Sequence, residues 1–261
     1  MFKYIPLTIE YIKRNFESFM EYRLNFIFEI IGMIINNFGF AAIWVIFFKK
    51  FNIINGWGVH DIFLLNAIAG LYYGIGTLVA GGMEKISQKI VNGELDFFLT
   101  LPKDVLWHIL VSFMRPSVLG ESLFGIIMFI LSGYFSFTRL IILLIVSTIS
   151  ASIFINAGII YHSLSLYFGN AKDFAERIMW TIVGFTLYPQ TIFSGNVKLI
   201  LYTLIPAGFI ATMPVEIIKS FDIKKLLILI IVAAIFTIIA RIIFTKGLKK
   251  YESGNLINAQ I

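Results

Sequence analysis

LIILLIVSTISASIFINAGIIYHSLSL, residues 140–166, contains no Asp, Glu, Lys or Arg. The hydrocarbon core of a bilayer is about 30 Å thick, and a helix rising about 1.5 Å per residue crosses it in roughly 20 residues. Every backbone amide in that core must find its partner within the segment, so an isolated apolar run crosses as a helix. Residues 140–166 therefore read as a transmembrane helix, long enough to project past the membrane at its end. Comparable apolar runs lie on both sides of it, at 25–48, 62–82, 106–134, 178–193 and 226–244. Together they predict an all-α polytopic membrane protein with six transmembrane helices. Arg115 and Pro116 are expected to break or kink the start of the third.

Composition points the same way. The chain has 261 residues, of which 59% are hydrophobic and 14% charged; soluble domains carry about a quarter charged residues. The absence of cysteine excludes disulfides, thiol catalysis and thiolate metal ligands. Residues 1–23 hold Glu10, Lys13, Arg14, Glu17 and Glu21, unlike the unbroken apolar core of a cleavable signal. Among them Ile5, Ile9, Ile12, Phe16 and Phe19 recur at three and four, the pattern of an amphipathic helix lying in the interface plane. The chain thus divides into an interfacial helix, 1–23, and a single transmembrane domain, 24–261.

VKLILYTLIPAGFIATMPVEII, residues 197–218, is apolar but interrupted by Pro206, Gly208 and Pro214. Each half is too short to cross, so the segment reads as a re-entrant hairpin before the last span; a seventh span is the alternative and moves the C-terminus to the other side. Six spans put both termini on one side, together with 14 of the 21 lysines and arginines. That bias places both termini in the cytoplasm of a plasma membrane. The net charge of +6 reports this topology and calls for no nucleic acid. Richness in Ile, Phe, Asn and Lys fits an AT-rich prokaryotic genome.

Ionisable residues deep in a span are functional by default. Glu29, Glu121, His162 and Arg241 all fall near the cytoplasmic ends of their spans. With no carboxylate or histidine at mid-membrane, the chain lacks the usual equipment of a secondary transporter or channel. A membrane-embedded lipid-modifying enzyme needs an interfacial catalytic cluster, and the only candidate is Asp104 with His108, which reads as an ordinary polar helix face. No metal or cofactor set is visible. Asn36, Asn37, Thr181 and Gln190 are polar residues within spans and candidates for lining a pathway; hydrogen bonding between helices is the plainer role. In the second span Ala67, Gly70, Gly74, Thr77 and Gly81 recur at three and four, a small-residue face that admits a close helix from this chain or from a partner.

The charges gather in the loop 83–105 and in the tail. In the loop, Ile86, Ile90 and Leu95 alternate with Glu84, Lys85, Gln88, Lys89 and Glu94, giving a short amphipathic helix that stops at Asn92-Gly93. Phe97-Phe98-Leu99 and Leu101-Pro102 then form an apolar shoulder and a turn, with Asp96 between them and the helix. Apolar knobs ringed by charge suit docking into a groove of a soluble partner. The chain has no phosphate-binding loop of its own, since no glycine is followed by lysine.

Three stretches carry a family resemblance: Asn92-Gly93-Glu94-Leu95-Asp96 with Leu101-Pro102; Leu204-Ile205-Pro206-Ala207-Gly208-Phe209 with Met213-Pro214; and the tail from Gly247 to Gly254. With the layout of the whole chain they resemble ABC-2-type exporter permeases, most closely the bacterial two-permease branch. Arg115 at the start of the third span and Gly208, where relatives carry a bulkier residue, depart from the pattern. The resemblance implies a permease dimer, homomeric or heteromeric, in membrane lipid, on a pair of ATP-binding subunits that hold ATP and Mg. It implies that Glu84–Pro102, including Gly93, couples the ATPase to the spans. On this reading the chain is a permease subunit without a catalytic site, moving a hydrophobic or amphipathic substrate by alternating access. Spans one, two and five line the path, and the hairpin at Pro206 and Pro214 forms an outer lid.

Overall fold

The computed structural model describes residues 4–51 and 53–252, and every regular element among them is helical. α1 (Ile5–Glu21) turns at Tyr22 into α2 (Arg23–Lys50). α3 (Val59–Ala80) continues through a 3₁₀ turn, Gly81–Lys85, into α4 (Ile86–Val91). α5 (Leu95–Leu99) and α6 (Val105–Val111) complete the first loop and precede α7 (Val118–Leu131). α8 (Phe137–His162), α9 (Ser165–Phe168) and α10 (Lys172–Thr186) follow. α11 (Gly195–Ile200), a π-helical turn at Gly208–Thr212, α12 (Met213–Lys219) and α13 (Ile223–Leu248) close the chain.

Among the described residues four segments are long and apolar enough to cross a membrane: Arg23–Lys50, Val59–Val91, Phe137–Phe168 and Ile223–Leu248. α7 has 14 residues and α10 has 15, each shorter than a full crossing by itself. The continuous stretch expected at 106–134 is instead two helices, α6 and α7, parted by residues 112–117. Pro116 lacks the amide that a continuous helix requires. The stretch expected at 178–193 starts earlier, at Lys172, and stops at Thr186, because Pro189 disfavours helical geometry in the residue before it.

α3 is the central helix: Ile62, Leu64, Leu65, Ala67, Ile68 and Tyr72 are fully buried. Its small-residue face receives α7 of the same chain. A Cβ on Gly70 would lie 2.7 Å from the Glu121 carbonyl oxygen, and one on Gly74 would overlap the Ser122 hydroxyl. One on Gly125 of α7 would lie 2.9 Å from the Ala67 carbonyl oxygen. In lipid, where apolar surface gains nothing by leaving the solvent, such close backbone approach supplies the dispersion energy that holds helices together. Thr77, on the same face, is buried and donates to the Tyr73 carbonyl oxygen at 2.7 Å. α2 and α13, by contrast, expose Phe28, Ile35, Ile43, Ile46, Ile231 and Ile238, side chains that lipid accommodates.

Polar clasps join elements at both ends of the bundle. At one end Asp61 accepts from Tyr134 Oη and pairs with Lys219 Nζ, both at 2.8 Å, and Asn55 Nδ2 donates to the Thr191 carbonyl oxygen at 3.3 Å. At the other end Ser87 Oγ lies 2.9 Å from His162 Nδ1, and Asp104 pairs with Arg241. α1 lies against α6 at that second end: Trp107 Nε1 donates to Thr8 Oγ1 at 3.2 Å, and the Tyr4 and Trp107 rings are 5.6 Å apart. The N-terminal helix, the first loop and the end of α13 therefore share one end of the molecule. Lys3 and the tail residues Ser253 and Gly254 lie outside the described residues.

Candidate functional site

α2, α3, α7 and α10 surround a cavity of about 330 Å³. Asn36, Asn37, Phe40 and Trp44 of α2 line it with Asn66, Tyr72 and Tyr73 of α3, Glu121 and Phe124 of α7, and Trp180 and Leu187 near the two ends of the α10 wall. Its volume is within the usual range of ligand pockets, about 300–1,000 Å³, and its wall combines aromatic rings with a polar set of Asn36, Asn37, Asn66, Arg115, Glu121 and Thr186. Glu121 accepts from Asn37 Nδ2 at 2.8 Å. Tyr72 Oη and Thr186 Oγ1, 2.9 Å apart, join α3 to α10 across the back of the cavity.

A smaller cavity of about 120 Å³ adjoins it, lined by Glu84, Lys85, His162 and Glu176. Tyr73, Arg115, Trp180 and Val183 line both. The partition is held by a short ionic cluster: Arg115 meets Glu84 Oε2 at 2.7 Å through both Nε and Nη2, and Tyr73 Oη donates to Glu84 Oε1 at 3.1 Å. The Arg115 guanidinium lies 6.0 Å from the Trp180 ring.

Of the four candidate pathway residues, Asn36 and Asn37 line the large cavity and the other two do not. Thr181 donates to the Arg177 carbonyl oxygen of its own helix at 2.8 Å. Gln190 is buried, its amide nitrogen turned onto the Phe185 and Tyr188 carbonyl oxygens at 2.8 and 3.2 Å. Arg115, Glu121 and Trp180 are among the lining residues that the sequence did not mark as part of a pathway. Glu121 reads in the sequence as a charge near the cytoplasmic end of its span and Arg115 as part of the break at Pro116; only that break turns both toward the same space.

The first loop divides into a buried and an exposed face. Ile86, Ile90, Leu95 and Phe98 are buried against the chain's own core, so they are unavailable as knobs for a partner. Phe97 and Leu99 are exposed at 63% and 46% and stand beside exposed Glu94 and Asp96. Lys89 pairs with Glu94 at 3.3 Å and sits over the Phe98 ring, while Lys85 sits over Phe113. Asn92 Nδ2 donates to Glu94 at 2.9 Å and, with Lys89, holds its carboxyl below the usual carboxylate range. Gly93 takes φ +73, a left-handed turn that a side chain would strain. Gln88 is half-buried, Leu101 is half-buried against the core and Pro102 is exposed.

Asp104 caps α6 by accepting from the Trp107 amide at 3.0 Å and pairs with Arg241 of α13. His108 is buried, with Nδ1 3.4 Å from Tyr11 Oη. The two side chains thus serve different neighbours. The tail folds back on the same region. Burial and the Asp96 carboxylate push the Tyr251 phenol up to about 12, and Lys250 lies over the Tyr167 ring at 5.1 Å.

The residues on either side of the paired-proline segment are held near the start of α3, Thr191 before it by Asn55 and Lys219 after it by Asp61. Its middle reaches the far part of α8, where the Tyr161 hydroxyl donates to the Leu204 carbonyl oxygen. Pro214 lies at the start of α12, where a missing amide costs nothing, and Pro206 sits in the turn between α11 and the π-helical turn. At Gly208 a Cβ would run into the Tyr202 ring, so this departure from the bulkier residue of relatives has a packing cause.

No curated protein matches the chain. Residues 19–254 match the family described as ABC-2 family transporter protein, which takes in both cavities, the first loop and the last span, and the chain belongs to that family.

Proposed function

We propose that this chain is the transmembrane permease subunit of an ATP-driven exporter. A separate subunit binds and hydrolyses ATP, and the permease moves a hydrophobic or amphipathic substrate by alternating access as a homo- or heterodimer. Membership of the ABC-2 family supports the coarse assignment. The observation that carries the finer reading is the direct bond between loop and cavity. Glu84 begins the loop and holds Arg115, which lines the large cavity. A push on the exposed Phe97–Leu99 shoulder is transmitted through α4 and the 3₁₀ turn to Glu84. From there it reaches the partition between the two cavities. The switch is a repacking of rigid helices rather than a titration.

Further details belong to the same reading. The chain crosses six times, with α6–α7 and α10 with its following turns making the two crossings that lack a full-length helix. Residues 197–218 form a re-entrant hairpin whose prolines, Pro206 and Pro214, shape an outer lid. α1 lies in the cytoplasmic interface, and both termini are cytoplasmic. Glu84, Lys85, Gln88, Lys89, Gly93, Glu94, Asp96, Leu101 and Pro102 form or shape the coupling surface, with Phe97 and Leu99 as its apolar contact.

The test is a pull-down of the tagged chain from its host in mild detergent, with bound proteins identified by mass spectrometry. An ATP-binding subunit is expected with the wild type. It should be lost when Phe97→Asp and Leu99→Asp are combined, because both side chains are exposed and their replacement leaves the core intact. An ATPase that stays bound to the double variant would refute the coupling role, and its absence from a folded wild type would refute the exporter reading.

A further inference from the structure

The large cavity carries an uneven charge. Arg115 and Glu121 are the only basic and carboxylic side chains among the described residues that line it; its tyrosines are neutral phenols near neutral pH. Arg115 is already matched: two of its nitrogens meet the Glu84 carboxylate at 2.7 Å. Glu121 is not matched in the same way. Its bonded partner is the neutral amide of Asn37, and among the described residues no basic nitrogen lies within 4.0 Å of its carboxylate. Phe40, Trp44 and Phe124 share the wall with it.

A half-buried carboxylate with no ion-pair partner within 4.0 Å, in reach only of the more distant field of an Arg115 already bound to Glu84, attracts a cation twice in an enclosure with aromatic walls. Coulomb attraction is weakly screened in a low-dielectric site, and ring faces favour positive charge. An anion meets the opposite situation, since the one guanidinium present is engaged. We propose, on the basis of the permease reading above, that the cavity selects an amphipathic organic cation, with its positive centre at Glu121 and its apolar groups against Phe40, Trp44 and Phe124. Asn37 orients the carboxylate.

The test uses probes of matched shape and different charge. The full chain, with its copurifying subunits, is placed in phosphatidylcholine nanodiscs. Equilibrium dialysis against empty nanodiscs then measures binding of tetraphenylphosphonium, tetraphenylborate and neutral triphenylphosphine oxide. The cation is expected to bind about tenfold more tightly than the anion to the protein itself. Glu121→Gln should weaken cation binding about tenfold while leaving the neutral probe unchanged, which also shows that the cavity has survived the substitution. Equal or tighter binding of tetraphenylborate to the wild type sinks the proposal, even if the variant does not fold. So does unchanged cation affinity in a folded Glu121→Gln. Because the measurement needs no ATPase, its outcome is separate from that of the pull-down. Charge selectivity without an ATPase leaves a cation site in a chain of other function, and an ATPase without charge selectivity leaves an exporter of other cargo.

Discussion

Gly82 fixes how closely two backbones meet at the head of the first loop. A Cβ there would strike the Ile109 carbonyl oxygen, and one on Gly81 would lie 2.7 Å from that of Phe113. Gly70 has the same constraint against α7, whereas nothing lies within 4 Å of a Cβ on Gly32 of α2. Neighbouring backbone cannot give way as a side-chain tip can, so overpacking here costs about 1–3 kcal/mol. Gly82→Ala and Gly70→Ala are each expected to lower the Tm in detergent by about 3–10 °C. Gly32→Ala should leave it unchanged or raise it slightly, through the better helix propensity of alanine. A scan in which Gly32→Ala is the most harmful of the three would refute the packing argument. The 3,4 spacing from Ala67 to Gly81 made one side of this contact legible in the sequence. The other side, Gly125 on α7, has no such repeat to announce it, and Gly82 lies off the stripe altogether.

At the scale of elements, the joint between α6 and α13 can be tested by pH. Hydrogen bonds from Arg241 hold the Asp104 carboxyl below its usual range, aided by the Trp107 amide and opposed by burial. A carboxyl depressed in the folded state stabilises fully above its unfolded value, about 3.9, and the contribution is lost as pH falls through the lower folded value. Asp104→Ala removes both the helix cap and the partly exposed pair, at a cost of about 1–2 kcal/mol near neutrality. The gap in Tm between wild type and variant should be constant from pH 7 to about 5 and shrink below about pH 4. A gap that widens on acidification would contradict the assignment. This joint was invisible beforehand because Asp104 and Arg241 are far apart in the chain: Asp104 reads as part of a polar helix face with His108, and Arg241 as a charge near the end of its span. The long helices were more legible: residues 25–48, 140–166 and 226–244 all fall inside α2, α8–α9 and α13. The third and fifth runs were less so. Hydropathy registers apolar content, whereas Pro116 and Pro189 decide where the backbone can remain helical.

For the molecule as a whole, two of the three stretches that suggested a family share one end of the bundle, and the residues flanking the third are held at the other. The first loop and the tail meet through Asp96 and Tyr251, beside α1, while the residues on either side of the paired-proline segment return to Asn55 and Asp61. The topology proposed above, an even number of crossings with a hairpin that enters and leaves on one side, accounts for this arrangement. The absence of native cysteine makes it directly testable, since any introduced thiol is the sole target. Single cysteines at Glu17, Phe97 and Lys250 are expected to react with a membrane-impermeant maleimide only in inside-out vesicles. Those at Asn55, Val197 and Phe221 should react only in right-side-out cells. Val197 and Phe221 are the decisive pair: they bracket the broken apolar segment, so a hairpin gives both the same side and a seventh span gives them opposite sides. Opposite labelling would also move Lys250 outside and cancel the shared location of tail and first loop, which makes the Lys250 result an internal check on the same geometry.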